Sequence, residues 1–249
     1  MMRSLHGIFS LPFTCEKVGG IPNGNTAIHD TMRTSGRSMS EGKPIKIWGR
    51  KNSINVMKVL WACEELGLPF ERVDLGGDFG GTQEPDYLAL NPNSRVPTIE
   101  DGDLVLWESN VIVRYLAATY GHPGLMPGER NARWQAEQWM DWQQTTLHAD
   151  ATVLFWGLVR TPPQERNHDA IEAARKGCGA HWEVVDGHLS SRNFLAGSEF
   201  SMADIPLGAA VYRWLAFDIE RPELPHLERW YQRLCERKGY QDHIMLPMT

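Results

Sequence analysis

Residues 44–75 have the sequence PIKIWGRKNSINVMKVLWACEELGLPFERVDL, which contains a complete strand–helix–strand pattern. Ile45–Trp48 is predicted as a short strand. The helix that follows is predicted to end near Leu66, because its apolar residues recur at helical spacing and Gly67 stops it. Phe70–Leu75 is predicted as a second strand. A strand, a helix and a strand in this order form a crossover with parallel strands, so the fold begins as α/β.

Two further strands are predicted as a β-hairpin. Residues 96–100 (VPTIE) and 104–107 (LVLW) flank the turn 101–103 (DGD), whose central glycine is typical of a hairpin. Ser109 then opens an amphipathic helix that Gly121 ends. The order βαβ followed by ββα predicts a mixed four-stranded sheet covered by helices, which is the thioredoxin-like arrangement.

Every periodic segment beyond the linker Gly121–Gly128 is predicted as helical. One of these helices starts at Ser201 and Asp204, which are spaced as a capping box and can each satisfy an amide of the first turn. The α/β part is therefore followed by an all-α part. The predicted helices are Glu129–Arg160, Gln164–Ser191, Ser201–Ala216 and Leu224–Lys238.

Three regions follow from these patterns. Residues 1–43 are rich in Gly, Ser, Thr and Asn without a sustained apolar period, and we predict a disordered N-terminal extension. A secretory signal is the weaker alternative there, because the apolar stretch 7–15 is short and contains Pro12. Residues 44–121 are predicted as the thioredoxin-like domain and residues 129–249 as the all-helical domain.

The composition narrows the classes of function. A formal net charge of −6 argues against a nucleic-acid partner, which usually meets a basic patch. No apolar run approaches the roughly 20 residues that cross a bilayer, so no membrane partner is expected. The four cysteines form neither a CxxC pair nor a Cys/His cluster with ligand spacing, so no metal is expected. Scattered cysteines also favour a reducing, cytoplasmic location.

Four segments together resemble bacterial glutathione transferases near the theta and phi branches. The resemblance covers about Ile45 to Tyr240, and it implies a thioredoxin-like domain that binds glutathione as co-substrate. It also implies a homodimer, and conjugation of the glutathione thiolate to small hydrophobic electrophiles in detoxification. The segments are KPIKIWGRKNSINVMKVLWACEELGLPFE (43–71), NPNSRVP (91–97), LWESNVIVRYL (106–116) and SMADIPL (201–207).

Ser53 lies where the first strand gives way to a helix, and the resemblance places the catalytic serine of theta and phi members there. A serine hydroxyl is too weak an acid to serve as a base for a thiol. It can instead donate a hydrogen bond to the thiolate, helped by the positive end of the helix. A plain helix cap is the competing interpretation of Ser53. Asn55, and less so Asn52, could donate the same bond.

Arg95-Val96-Pro97 resembles the segment in which family members hold a cis proline. The resemblance implies that the backbone of Val96 pairs with the cysteinyl part of glutathione as an added strand would. Arg95 is expected to meet the glycyl carboxylate. An ordinary turn before a strand is the alternative. Ser94 occupies a position where relatives often carry glycine.

Glu108 and Ser109 start a helix directly after a strand. Free amides there, together with the Ser109 hydroxyl, suit the α-carboxylate of the γ-glutamyl group, and Glu108 can bind its ammonium. A capped helix alone would require Ser109 but not Glu108. This segment is therefore predicted to recognise both charges of an amino acid.

Phe155 and Trp156 are predicted to line an apolar acceptor pocket where the two domains meet. Peroxide reduction and dehalogenation use the same thiolate and stay open as activities. A binding or regulatory protein that keeps the fold without the chemistry is the alternative from another class. A zeta-type isomerase is disfavoured, because its Ser-Ser-Cys start is absent from residues 52–54 (NSI).

Overall fold

The computed structural model describes residues 43–121 and 124–249. Apart from Lys43, the predicted N-terminal extension therefore lies outside the described residues. Within the described part, no helix has the length and apolar character needed to cross a membrane.

The first half of the described chain is a four-stranded sheet with helices packed on it. The strand order is β2-β1-β3-β4, with β1 parallel to β2 and the other two pairings antiparallel. This confirms the mixed thioredoxin-like sheet. In chain order the elements are β1 (Ile45–Trp48), α1 (Ile54–Leu66), β2 (Phe70–Val73), α2 (Pro85–Leu90), β3 (Thr98–Asp101), β4 (Leu104–Trp107) and α3 (Ser109–Thr119).

The second half is helical, as predicted. Two π-helical turns, Gln143–Leu147 and Trp156–Arg160, continue the first two helices into one long run. Short 3-10 turns occur at Gly77–Phe79 and Pro163–Glu165. The α-helices are α4 (Arg130–Trp142), α5 (His148–Phe155), α6 (His168–Leu189), α7 (Asp204–Ala216), α8 (Pro225–Cys235) and α9 (Lys238–His243).

Several predicted element ends were wrong, each for a local reason. Strand β2 stops at Val73, where its partner β1 ends in the parallel ladder. Strand β3 starts only at Thr98, because Pro97 has no amide hydrogen to give to the sheet. Helix α6 starts at His168, because the side chain of Asn167 caps it by accepting from Ala170 N at 3.0 Å.

Two helical predictions also need correction. The segment predicted as Leu224–Lys238 is two helices, since α8 ends at Cys235 and α9 starts at Lys238. Helix α7 starts at Asp204, with Ser201 in the turn before it. The capping pair itself is present: Ser201 N and Ser201 Oγ lie 2.9 and 3.1 Å from Asp204 Oδ2.

The core joins the sheet region to the helical region around Trp61 of α1. Its indole is fully buried, with ring centroids 4.9 Å from Tyr240 and 5.3 Å from Phe200. Gly208 of α7 faces the same ring, and a Cβ there would lie 2.9 Å from Trp61 ring carbons. The close packing of α1 on α7 therefore requires glycine at position 208.

Candidate functional site

A cavity of about 620 Å³ lies between the sheet region and the helical region. One wall comes from the loop after β1, the start of α1, the loop before β3 and the start of α3. The opposite wall comes from α5, its adjoining π-helical turns, and α6 and α7. All nine predicted site residues line this cavity: Ser53, Asn55, Arg95, Val96, Pro97, Glu108, Ser109, Phe155 and Trp156.

Ser53 is the N-cap residue of α1, yet its side chain makes no capping hydrogen bond. Its carbonyl oxygen accepts from Met57 N at 2.9 Å, so the helix is formed from the first turn onward. The residue is only 8% exposed and borders the cavity. The hydroxyl is therefore available to a ligand at the positive end of a helix.

Asn55 connects two of the predicted subsites. Its Oδ1 accepts from Ser109 Oγ at 3.3 Å, which ties the first turn of α1 to the first turn of α3. Asn52 also borders the cavity, and its Nδ2 donates to Thr249 Oγ1 at 2.6 Å. Of the three candidates Asn52, Ser53 and Asn55, Ser53 is the one whose side chain makes no such hydrogen bond and is available to a ligand.

The loop before β3 is held in place from behind. Asn91 Nδ2 donates to the Arg95 carbonyl at 2.9 Å, and Tyr87 OH donates to the same oxygen. The Val96–Pro97 peptide bond is cis, and no backbone–backbone hydrogen bond of the described chain uses Val96. Ser94 has φ 55°, the left-handed conformation that glycine favours. Val96 is thus left with free backbone groups at the cavity edge.

Glu108 also has left-handed φ, at 72°, which is uncommon for a residue with a side chain. It is the N-cap of α3 and makes no side-chain capping bond. Ser109 follows as the first helical residue. This helix start therefore presents amides, a hydroxyl and a carboxylate to the cavity.

A buried lysine lies behind this wall. Lys58 Nζ lies 3.3 Å from Asn110 Oδ1 and 3.4 Å from Gln143 Oε1. Burial, and secondly the charge of Arg213, lower the pKa of Lys58 to about 7. Burial and the charge of Lys58 also lower the pKa of His148, which lines the cavity. Both causes favour the neutral form of His148.

The opposite wall is aromatic but not simply apolar. Phe155 is buried and Trp156 is 60% exposed, and both border the cavity. The guanidinium carbon of Arg213 lies 3.9 Å from the Phe155 ring centroid, and that of Arg160 lies 5.7 Å from it. Arg50 lines the same cavity.

Sequence reasoning missed these three arginines. Arg50 could have been predicted, because it lies three residues before Ser53 in the loop after β1. Arg160 and Arg213 lie near the ends of helical segments, and nothing in the helical spacing shows that both turn toward Phe155.

One cysteine also lines the cavity. Burial, and secondly the charge of Asp150, raise the pKa of Cys178 to about 12. Its thiol is therefore protonated at neutral pH. Over residues 43–121 and 124–249, no group of three or more His, Cys, Asp or Glu side chains could hold a metal ion.

Comparisons with known proteins agree with this architecture. Two family models match: "Glutathione S-transferase, N-terminal domain" over residues 43–118 and "Glutathione S-transferase, C-terminal domain" over residues 147–238. The chain is 43% identical over 207 residues to glutathione S-transferase GstB of Escherichia coli, which covers 82% of this chain and 100% of that protein. It is 32% identical over 213 residues to glutathione S-transferase 3 of Zea mays, covering 81% of this chain and 93% of that one.

A solved structure is similar throughout the same region. It is the theta class glutathione S-transferase from the citrus canker pathogen Xanthomonas axonopodis pv. citri, with glutathione bound. The identity is 50%, the TM-score is 0.80, and the match covers 82% of this chain and 99% of that one.

Proposed function

The chain belongs to the glutathione S-transferase family, and from that premise we propose that Ser53 holds glutathione as its thiolate for transfer to a small, largely hydrophobic electrophile. The observation that carries this proposal is the Ser53 hydroxyl, which borders the cavity at a helix start and makes no capping bond. Glutathione as the substrate is supported by the solved relative that binds it.

The proposed role of Ser53 is electrostatic. Its hydroxyl donates to the sulfur, and the amides at the start of α1 add positive potential. A free thiol titrates near 8.5, and each unit by which the site lowers that pKa represents ~1.36 kcal/mol of thiolate stabilisation. The thiol proton leaves to water, so no basic side chain is needed.

The remaining contacts of glutathione are assigned by chemistry. The free backbone groups of Val96 pair with the cysteinyl unit, with Pro97 shaping the loop. Arg95 meets the glycyl carboxylate. The start of α3 binds the γ-glutamyl end, with its carboxylate at Ser109 and its ammonium at Glu108. Asn55 holds Ser109 and is the second donor near the sulfur.

The transfer step needs only the thiolate and an aligned acceptor. The sulfur attacks the electrophilic carbon, a C–S bond forms, and the leaving group departs with the electron pair of its former bond. Phe155 and Trp156 supply the apolar wall for the acceptor. Detoxification of such compounds is the role we propose; peroxide reduction and dehalogenation would draw on the same thiolate.

We also propose a cytoplasmic homodimer. The three described cysteines are free, which suits a reducing compartment. Closed two-fold symmetry is the commonest arrangement of soluble oligomers. Light scattering at micromolar concentration tests the dimer directly, and a monomeric mass would contradict it.

Ser53→Ala tests the central assignment. We expect the variant to bind glutathione with similar affinity, while ultraviolet titration shows a raised pKa of the bound thiol. Turnover should fall most at neutral pH, and the loss should shrink as pH rises and bulk alkali supplies the thiolate.

Ser198→Ala serves as the matched control, because Ser198 is exposed and does not line the cavity. An unshifted thiol pKa in Ser53→Ala would pass the role to Asn55 or Asn52. Asn55→Ala, titrated in the same way, then identifies which side chain stabilises the thiolate.

A further inference from the structure

The cavity contains arginines that the proposed contacts of glutathione do not use. Among the described residues, four arginines line the cavity, namely Arg50, Arg95, Arg160 and Arg213, against two carboxylates, Asp78 and Glu108. Four minus two gives a local charge of +2 in a chain whose formal net charge is −6. The proposed function assigns Arg95 and Glu108 to glutathione, which leaves three arginines facing one carboxylate.

Arg213 is the most important of the three remaining arginines. Its guanidinium carbon lies over the Phe155 ring, 3.9 Å from the ring centroid. Among the described residues, no hydrogen bond or ion pair engages this guanidinium. Burial, and then repulsion by Arg50 and Arg160, lower the pKa of Arg213 to about 10. Within residues 43–121 and 124–249, Arg213 is thus a charged, partly buried donor without an acceptor.

The other two arginines are only partly engaged. Arg50 Nη1 donates to Asn52 Oδ1 at 3.2 Å and is attracted by Asp78. Arg160 Nη2 donates to the main-chain oxygen of Thr249 at 2.5 Å, while its guanidinium carbon stays 5.7 Å from the Phe155 ring centroid. Arg160 and Arg213 therefore approach the same aromatic ring, and each keeps donors for a ligand.

We propose that the electrophile accepted by this enzyme carries an anionic group, such as a carboxylate or sulfonate, on an aromatic or otherwise flat apolar body. Arg213, assisted by Arg160, binds the anion, and Phe155 and Trp156 pack against the body. Guanidinium groups match carboxylates and sulfonates in bidentate geometry. This inference rests on the proposed function, because it assigns the acceptor to the site where the thiolate reacts.

A competing explanation is that the arginines act only on the thiolate. Their positive potential would then lower the thiol pKa and accelerate every electrophile equally. An anion subsite predicts something different, because its effect depends on the charge of the acceptor.

A pair of matched electrophiles separates these possibilities. 4-(Bromomethyl)benzoate and 4-(bromomethyl)benzamide have similar size and the same reacting carbon. In each, the glutathione sulfur bonds to the benzylic carbon while bromide leaves with the C–Br electron pair. After correction for the uncatalysed rates, we expect kcat/KM to favour the carboxylate by about tenfold or more, as a charge-assisted contact implies.

Substitution of the arginines should remove that preference. In Arg213→Gln the carboxylate-to-amide ratio of kcat/KM should fall about tenfold, and in Arg160→Gln by a smaller factor. Arg229→Gln is the matched control, because Arg229 is exposed on α8 and does not line the cavity; there the ratio should not change. Benzoate should also inhibit the unmodified enzyme more strongly than benzamide, which tests the subsite even if Arg213→Gln does not fold.

The outcomes are distinguishable. Equal loss for both electrophiles, with a raised thiol pKa, would assign the arginines to the thiolate and overturn the proposal. No preference for the carboxylate, and no difference between the two inhibitors, would also overturn it while leaving the transferase function intact. If bound glutathione reacts with neither electrophile, the proposed function itself fails.

Discussion

Helices α1 and α7 pack against each other, but their first turns are used in opposite ways. Ser53 occupies the N-cap position of α1, but its hydroxyl makes no capping hydrogen bond and borders the cavity. Ser201, just before α7, is 1% exposed, and its N–H and hydroxyl both donate to Asp204. One helix start is open to a ligand, and the other is satisfied entirely by the protein.

The buried charged residues of the two helices differ in the same way: Asp204 of α7 is well partnered by the protein, and Lys58 of α1 is not. The Asp204 carboxylate accepts hydrogen bonds from Ser201 N, Ser201 Oγ, Leu195 N and Trp230 Nε1, at 2.9 to 3.1 Å. The Lys58 ammonium of α1 has, among the described residues, only two hydrogen-bond acceptors, both neutral amide oxygens, at 3.3 and 3.4 Å. The residue three positions after each serine indicates the difference: it is Val56 for Ser53 and Asp204 for Ser201. A serine without an acidic partner at that spacing is the one left for function.

Asp204→Ala tests the satisfied helix start and should have the largest effect. It leaves several buried donors without an acceptor, so we expect the free energy of unfolding to fall by about 4 kcal/mol or more. Urea denaturation measures the loss. Asp218→Ala, at an exposed position after α7, is the control and should cost little. A loss below about 1 kcal/mol for Asp204→Ala would show that the four bonds contribute little net stability.

Glu108→Ala tests an open helix start. It removes the charge-assisted contact that we propose with the γ-glutamyl ammonium, worth ~1.5–3 kcal/mol, so glutathione affinity should fall about ten- to a hundredfold. The unfolding free energy should hardly change, because Glu108 makes no capping bond. Glu84→Ala is a close control, since Glu84 is the N-cap of α2, also makes no capping bond and does not line the cavity. Unchanged affinity in Glu108→Ala would remove this residue from the site.

Lys58→Met tests the weakly partnered charge through pH. The pKa of Lys58 is about 7 in the folded protein and near 10.5 when unfolded, so the unfolded chain binds more protons between these values. Folding stability should therefore rise with pH in that window, by about 2 kcal/mol from pH 7 to pH 9. Lys58→Met should be more stable at pH 7 and lose this part of the slope. Lys176→Met, at an exposed lysine, should keep it.

Ser53→Ala and Ser201→Ala, compared for stability alone, give the smallest and most direct contrast. Ser201→Ala removes a buried hydrogen bond to Asp204 and should cost about 1 kcal/mol of unfolding free energy. Ser53→Ala removes no capping bond and should cost less than about 0.5 kcal/mol. Thermal melts at one pH suffice. Equal losses in the two variants would restore the helix-cap interpretation of Ser53.

Much of this fold follows from local sequence pattern. The crossover in residues 44–75 and the hairpin turn at 101–103 correctly predict the parallel pair and the antiparallel hairpin of the mixed sheet, because spacing and glycine placement are local signals. Helix ends are less predictable. Asn167 caps α6 where the apolar period alone extends the helix to Gln164. The π-helical turns within the long run of α4 and α5 have no counterpart in the apolar period of the sequence.

The site residues also differ in how well the sequence predicts them. The residues proposed to bind glutathione come in short contiguous motifs, such as 95–97 and 108–109, and all of them line one cavity. The proposed acceptor side is assembled from separate helices. Arg160 and Arg213 are 53 positions apart in the sequence, yet both side chains approach Phe155. Such a cluster depends on how helices pack, so it appears only in three dimensions.

The buried cysteines have a consequence for the proposed reaction with alkylating compounds. Burial raises the pKa of Cys63 and of Cys178 to about 12. At pH 7 the thiolate fraction of such a group is about one part in 10⁵, from the five-unit gap between pH and pKa. Cys178 borders the cavity that we propose admits electrophiles, yet its thiol is almost entirely protonated there. Under the proposed function, this residue is thus protected from alkylation by the compounds that the enzyme converts.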